Sequence, residues 1–222
     1  DIGGSRVAIA QQFAEALGIP VDDTIPTVVD TDGVGYTSMT AGSGVQFKTG
    51  WAAYKAAEDI KTQVKERASL IWDVPVKLIE YSEGVVYNKN NKRQTLNFRE
   101  IAALLNETGG PIIGRGNVNP GGVGASVTAN IIDVEIDRET GKISIIRCTA
   151  FQDPGRAIHP SYVEGQMQGG TVQGIGWALN EEYFIGSNGE MLNNSFLDYR
   201  MPTSLDVPMI DTMIVEVPNP GH

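Results

Sequence analysis

The sequence predicts an α+β fold that combines long helices with mixed sheets and hairpins. In the first third of the chain, two segments repeat apolar residues at helical spacing, and a short extended segment lies between them. In the middle of the chain the pattern changes to short strands joined by tight turns. This change from helices to hairpins along one chain is the basis of the predicted fold class.

The size and composition are those of a globular protein. The chain has 222 residues, of which 41% are hydrophobic and 20% are charged, so it can bury a sizeable core. We expect either one large domain or two lobes, about residues 1–110 and 125–222, joined by a glycine-rich loop. The chain begins at Asp1 without a methionine or a signal peptide, so we also expect it to be part of a longer protein.

Charge and cysteine content exclude several partners and sites. A net charge of -10 argues against binding to nucleic acid or to an anionic membrane, and no apolar run is long enough to cross a bilayer. The single cysteine, Cys148, excludes an internal disulfide and fits a reducing, cytoplasmic location, and we interpret it as a buried, inert thiol. The two histidines, His159 and His222, lack cysteine partners at zinc or iron–sulfur spacing, so no metal site is predicted.

Two helices and one strand are predicted in the first third of the chain. Residues 6–18 form an amphipathic helix that ends at Gly18, residues 26–30 form a short strand, and a longer helix runs from the 40–44 turn to Trp72. The apolar positions at helical spacing are Val7, Ala10, Phe13, Ala14 and Leu17 in the first helix and Trp51, Tyr54, Ala57, Ile60, Val64, Ala68 and Ile71 in the second. Each helix follows a polar, glycine-rich turn.

Hairpins are predicted in the middle of the chain. Residues 76–81 and 84–88 form the first, and the segment around Leu96 can close its sheet before a short helix at 98–105 that is stopped by Gly109 and Gly110.

A second hairpin joins residues 129–136 and 142–151 around the turn at 138–141. Its charged residues Asp133, Glu135 and Asp137 alternate with apolar residues, which indicates a solvated sheet face rather than an acid/base pair.

A glycine-rich helix is predicted over residues 161–183, ahead of a final strand at 213–217. Each helical glycine costs about 0.8–1 kcal/mol relative to alanine. Close packing against another backbone or a ligand is the expected compensation. The glycines are Gly165, Gly169, Gly170, Gly174 and Gly176.

Three glycine-rich segments are candidate anion-binding cradles. Residues 1–6 and 40–44 run directly into helices, whose first N–H groups can bind an anion together with the nearby hydroxyls. The third segment, 164–170, adds the amide of Gln166. Each segment alone is also explained as an ordinary helix N-cap, whereas three in one chain favour a ligand. The loop at 114–124 is interpreted as mobile or ligand-adjacent, with a plain exposed connection as the alternative.

In order and spacing, these segments resemble the molybdenum-cofactor-binding large subunit of the xanthine dehydrogenase, aldehyde oxidase and aerobic carbon monoxide dehydrogenase family. The resemblance covers nearly the whole chain. It implies a molybdopterin cofactor, often as the cytosine dinucleotide, whose phosphates suit donor-rich turns. The segments that carry it are Asp1-Ile2-Gly3-Gly4-Ser5-Arg6, Asp30-Thr31-Asp32, Thr40-Ala41-Gly42-Ser43, residues 133–137, Asp153-Pro154-Gly155-Arg156 and residues 165–176.

The resemblance also implies which residues contact the cofactor. Gly3 stands where many relatives have a glutamine, so only backbone donors and Ser5 remain in that loop. The 40–43 loop matches the one that holds the phosphates and the nucleotide end, and Gln166 matches a glutamine near the pterin and the molybdenum. The implied cofactor-binding residues are Ile2, Gly3, Gly4, Ser5, Thr40, Ala41, Gly42, Ser43 and Gln166. The family's catalytic glutamate is expected shortly beyond residues 218–221, so no catalytic residue is assigned within the chain.

The resemblance therefore implies the cofactor-binding part of a molybdenum hydroxylase that acts on a purine, an aldehyde, an N-heterocycle or carbon monoxide. Its expected partners are the remainder of the molybdenum subunit, iron–sulfur and FAD-containing chains or domains, and a small-molecule substrate. Without the catalytic glutamate, the isolated chain is expected to be inactive. The alternative is a non-catalytic assembly or interaction module of the same ancestry. A nucleotide-binding oxidoreductase of another class is disfavoured, because no Gly-x-Gly-x-x-Gly follows a strand.

Overall fold

The computed structural model describes residues 4–28, 30–33, 35, 37, 39–120 and 125–218. The chain divides into two compact units, Asp1–Gly121 and Gly122–His222. Each unit combines helical structure with a three-stranded sheet, so the predicted α+β fold is confirmed.

The first unit contains two long helices and an antiparallel sheet. The elements are α1 (Ser5–Leu17), α2 (Val45–Trp72), β1 (Ile79–Ser82), β2 (Val85–Asn88), β3 (Asn91–Asn97) and α3 (Phe98–Leu104). Helix α1 is capped by Gly18, whose φ of 71° is the left-handed conformation that glycine adopts without strain. The sheet has the order β1-β2-β3, which confirms the predicted hairpin and the third strand around Leu96.

The core of the first unit forms where the second half of α2 covers the sheet. This core confirms the apolar face predicted for the C-terminal half of α2, whereas Trp51 and Tyr54 near its start remain partly exposed. Burial of this apolar surface is the main stabilising contribution to the unit. The buried residues of the cluster are Val64, Ala68, Ile79, Val86 and Ile101.

Helices α1 and α2 pack together and run in the same general direction. Early in α2, Gly50 lies against the side chain of Gln12 in the middle of α1. At the other end of α1, the hydroxyl of Tyr81 donates a hydrogen bond to the Leu17 carbonyl at 2.7 Å. The ammonium of Lys61, further along α2, lies 6.0 Å from the centre of the Tyr81 ring. The starts of α1 and α2 therefore lie at the same end of the unit.

The second unit is a mixed sheet with one covering helix. Strand β4 pairs antiparallel with β5, which confirms the second hairpin, and β5 pairs in parallel with β6. Helix α4 connects the two parallel strands and packs on both of them. The elements are β4 (Thr128–Ile136), β5 (Ile143–Gln152), α4 (Pro160–Leu179) and β6 (Ile210–Ile214).

Three sequence predictions of local structure need correction. Residues 26–28 and 30 form no strand, and the last strand begins at Ile210 rather than at residue 213. The apolar residues of β4 are exposed along with Asp133 and Glu135, so the strand has no buried face opposite the solvated one. None of the helices in the described residues is both long and apolar enough to cross a lipid bilayer.

Candidate functional site

The starts of α1 and α2 lack side-chain caps. The N-cap residues are Gly4 and Gly44, and neither makes a side-chain capping hydrogen bond. Helix α3 shows the contrast, because Asn97 and Glu100 form a capping box there. The N-cap of α2 is thus Gly44 rather than Ser43.

The loop before α2 has an unusual backbone. Gly42 and Ser43 have φ values of 64° and 55°, and Ser43 is one of three non-glycine residues with positive φ in the described part of the chain. A single non-glycine residue in the left-handed region costs roughly 1–2 kcal/mol. Strained backbone of this kind clusters at binding sites, and it persists only where the surrounding structure holds it in place. The loop before α2 is therefore a candidate binding loop.

Two of the predicted cradles are brought to the same end of the first unit. Gly4 and Ser5 begin α1, and Thr40 to Ser43 precede α2, which runs in the same direction. The predicted contacts Ile2 and Gly3 lie outside the described residues. The first unit therefore presents two helix starts side by side.

Lys48 is a candidate site residue that sequence reasoning missed. Its side chain folds back along the first turn of α2, so that its Nζ lies 3.4 Å from the position that a Cβ on Gly44 would occupy. Lys48 has no ion-pair partner in the part of the chain that the structure describes. The first turn of α2 contains no acidic residue, and this is the signal in the sequence that could have drawn attention to the lysine.

A cavity of about 940 Å³ lies beside the first two turns of α2. Lys48, Thr49 and Ala52 form one wall, and Asn117 and Asn119 contribute amides from the facing segment. The mixture of an ammonium, a hydroxyl and amides suits a polar ligand with negative charge.

The start of the glycine-rich loop at 114–124 is fixed against α2. Arg115 N donates to Asp59 Oδ2 at 2.9 Å, and Gln63 Nε2 donates to the Ile113 carbonyl at 2.9 Å. A Cβ on Gly114 would lie 2.5 Å from the Ala56 carbonyl oxygen, and one on Gly116 would overlap the backbone of α2. Residues 114–116 of the predicted loop are therefore packed against α2 rather than mobile, while residues 121–124 lie outside the described part of the chain.

Gln166 lies within α4, in the second unit. The helix begins at Pro160, so the interpretation of residues 164–170 as a turn at a helix start is wrong. The side chain of Gln166 is exposed and lines an apolar groove of about 640 Å³ between α4 and the face of the sheet. Thr128 and Gln152, which are paired at the end of the β4–β5 ladder, line the same groove.

Most of the glycines of α4 face open space. A Cβ on Gly165, Gly169, Gly170 or Gly174 would meet no atom within 4 Å, so no backbone or side chain of the described residues packs closely there. Only Gly176 is tightly packed, against Glu181 and Pro202. The expected close packing is therefore confirmed for Gly176 alone, and Gly170 and Gly174 line the groove.

Cys148 lies in the core of the second unit. Its side chain is fully buried between the sheet and α4, as predicted. Burial, with a smaller contribution from the Asp211 carboxylate, raises the pKa of the thiol. No group of three or more metal-ligating side chains occurs among the described residues.

Comparisons with known proteins point to one family. A family model described as a molybdopterin cofactor-binding domain matches residues 1–208. The putative xanthine dehydrogenase molybdenum-binding subunit of Escherichia coli K12 is 28% identical over 99% of this chain and 30% of its own length. Subunit gamma of the 6-hydroxypseudooxynicotine dehydrogenase complex of Paenarthrobacter nicotinovorans is 31% identical over 96% of this chain and 28% of its own length.

A solved structure has the same fold. The crystal structure of a Cu,Mo-containing carbon monoxide dehydrogenase matches 99% of this chain with a TM-score of 0.76 at 28% identity, and the match covers 28% of that protein chain. The chain thus spans less than a third of the length of the relatives it matches.

Proposed function

The chain belongs to the molybdopterin cofactor-binding domain family, and from this premise we propose that it supplies the cofactor-binding part of a molybdenum hydroxylase. The proposed reactions are the oxidative hydroxylation of a purine, aldehyde or N-heterocycle, or the oxidation of carbon monoxide. Relatives named as xanthine dehydrogenase and carbon monoxide dehydrogenase chains support this range.

The observation that carries the proposal is the start of α2, where the N-cap Gly44 supplies no side-chain cap and Lys48 folds back along the first turn. Free N–H donors at the start of a helix are a ready site for a phosphate, and an ammonium without an ion-pair partner adds a charge-assisted contact. Gly42 and Ser43 turn the backbone sharply just before α2, so the loop can approach a ligand closely. The donor set of the first unit therefore fits the phosphate end of a molybdopterin, and its dinucleotide form would fill more of the adjacent cavity.

Gln166 is the proposed contact in the second unit. A glutamine amide both donates and accepts hydrogen bonds, so it could orient the pterin of the cofactor without adding charge. When bound, the molybdenum centre supplies the two-electron redox chemistry, and the protein supplies binding and orientation. Ile2, Gly3, Gly4, Ser5, Thr40, Ala41, Gly42 and Ser43 complete the proposed set of contacts.

Partners and location are also proposals. The name of the gamma subunit of a dehydrogenase complex supports assembly with other chains. We expect iron–sulfur and FAD-containing chains or domains to accept the electrons, and the rest of a molybdenum subunit to complete the substrate site. The single buried cysteine is consistent with a cytoplasmic protein.

The test is the cofactor content of variants in the complete molybdenum protein. Lys48→Ala removes a charge-assisted contact worth about 1.5–3 kcal/mol, so bound molybdenum and pterin should fall about tenfold or more at limiting cofactor. Ser43→Ala removes a neutral hydrogen bond worth about 0.5–1.5 kcal/mol, and Ser43→Asp should be worse because it sets a carboxylate against the phosphates. Lys55→Ala is the matched control, because Lys55 is an exposed lysine on the same helix.

Molybdenum is measured by elemental analysis and folding by circular dichroism. Equal molybdenum content in the Lys48, Ser43 and Lys55 variants, with folding intact, would contradict the proposed phosphate site.

A further inference from the structure

The parallel strands of the second unit leave the sheet at the same edge. Gln152 pairs with Ile214 at this edge, and Val215 N donates to the Gln152 carbonyl at 2.8 Å. Beyond this point the chain after β5 becomes the loop 153–157, and the chain after β6 continues towards Pro218. The carboxyl ends of parallel strands are where ligand sites of such sheets are built.

Two carboxylates continue the connection after the backbone ladder ends. Asp153 Oδ1 accepts hydrogen bonds from Gly155 N at 3.0 Å and from Val217 N at 3.2 Å. Glu216 Oε1 accepts a hydrogen bond from Ala157 N at 2.6 Å. The bonds are reciprocal. Asp153, in the loop after β5, binds the chain after β6, and Glu216, in the chain after β6, binds the loop after β5. We call these three hydrogen bonds the carboxylate clamp.

The segment held by the clamp leads directly into α4. Only two residues separate Ala157 from Pro160, the first residue of the helix. Gln166 follows in the second turn and lines the same groove as Thr128 and Gln152. Gln168 Nε2 also donates to the Ile210 carbonyl at 3.2 Å, so the loop 153–157 and the start of β6 together hold this part of α4 over the sheet.

We propose that Asp153 and Glu216 are positioning residues that lock the chain leaving β6 to the loop entering α4, and so help to fix the location of Gln166 in the groove. The clamp acts through backbone N–H groups and touches no ligand itself. It also sets the direction in which the chain leaves the sheet at Val217. The role assigned to Gln166 rests on the proposed function, whereas the clamp itself does not.

The clamp is tested by amide hydrogen exchange on the full chain, measured by mass spectrometry over residues 154–158 and 215–218. Asp153→Ala and Glu216→Ala should speed exchange in both segments by about tenfold, because hydrogen bonds to charged acceptors are lost. Asp153→Asn and Glu216→Gln keep an acceptor oxygen and should restore most of the protection. Asp206→Ala is the matched control, since Asp206 Oδ2 accepts from Thr203 N at 2.7 Å elsewhere in the same unit. Unchanged exchange in both alanine variants would overturn the proposal.

The positioning role needs a second readout in the complete molybdenum protein. Asp153→Ala should alter the Mo(V) electron paramagnetic resonance spectrum of the dithionite-reduced protein at unchanged molybdenum content, and Asp153→Asn should restore it. Faster exchange with an unaltered spectrum would overturn the assignment to Gln166. A wild-type protein that holds no molybdenum would refute the proposed function and with it the role of Gln166, while the exchange data would still decide whether the clamp exists.

Discussion

Replacing Gly116 by alanine should strongly destabilise the first unit. The new Cβ would overlap the Ala52 carbonyl oxygen and would lie 2.7 Å from Ala56 N, and both are backbone atoms of a long helix that cannot turn aside. The segment must therefore move away from α2, which strains the hydrogen bond from Arg115 N to Asp59. Overpacking of this kind costs about 1–3 kcal/mol, so we expect a loss near 2 kcal/mol and a fall in Tm of roughly 8 °C.

The assay is urea and thermal unfolding of the full chain, followed by circular dichroism. The matched control is Gly35→Ala, because Gly35 lines the same cavity but a Cβ there would meet no atom within 4 Å. A Gly116→Ala variant as stable as the Gly35→Ala control would refute the close packing of the loop on α2. The variant should also hold less molybdenum in the complete protein, since the cavity beside Lys48 changes shape.

Two further predictions concern stability. Burial raises the pKa of Tyr81 to about 12, and its hydroxyl donates to the Leu17 carbonyl. The unfolded value is about 10, so the stability contributed by neutral Tyr81 is fully present below pH 10 and is lost as the pH rises towards 12. Alkaline unfolding should therefore be less steep in Tyr81→Phe, and equal pH dependence would count against a buried phenol. In α4, Gly170→Ala should stabilise the second unit by about 0.8–1 kcal/mol, because the new Cβ enters open space. Gly176→Ala should destabilise the unit, because its Cβ would contact Pro202. Equal unfolding midpoints for the two variants would contradict this contrast.

Elements with a long, regular pattern could be predicted from the sequence. Helix α2 repeats apolar residues through seven turns, and the turn at 138–141 separates two β-branched segments that pair along their whole length. Local signals suffice in these cases, because the periodicity and the turn residues specify the same structure.

The errors lie where structure depends on partners distant in the sequence. Ile25 and Val28 have strand-forming side chains, yet they are 86% and 72% exposed and pair with no strand of the described residues. The last strand begins at Ile210 because its parallel pairing with Cys148 decides its position. β-propensity measures how well a residue fits a partner strand, and the sequence does not show which partner is present.

Only part of the candidate site could be predicted, because contacts between residues distant in the sequence determine the rest. The glycines before α1 and α2 mark the loops, because glycine permits the left-handed backbone seen at Gly4 and Gly42. The role of Lys48 could not be predicted, because it depends on the direction of the lysine side chain, and residue spacing does not determine that direction. The glycine-rich helix predicted over residues 161–183 is confirmed by α4, but Gln166 lies inside it rather than at its start.

The parallel arrangement of α1 and α2 has an electrostatic consequence. Each helix carries a macrodipole equivalent to about half a positive charge at its start, and two dipoles side by side in the same direction repel. Lys48 adds a full positive charge at the same end, in a chain whose net charge is -10. The starts of α1 and α2, together with the Lys48 ammonium, therefore place positive charge at one end of the first unit, where a dianion would be stabilised. Its stability should depend on which anion is present in the buffer as well as on the ionic strength.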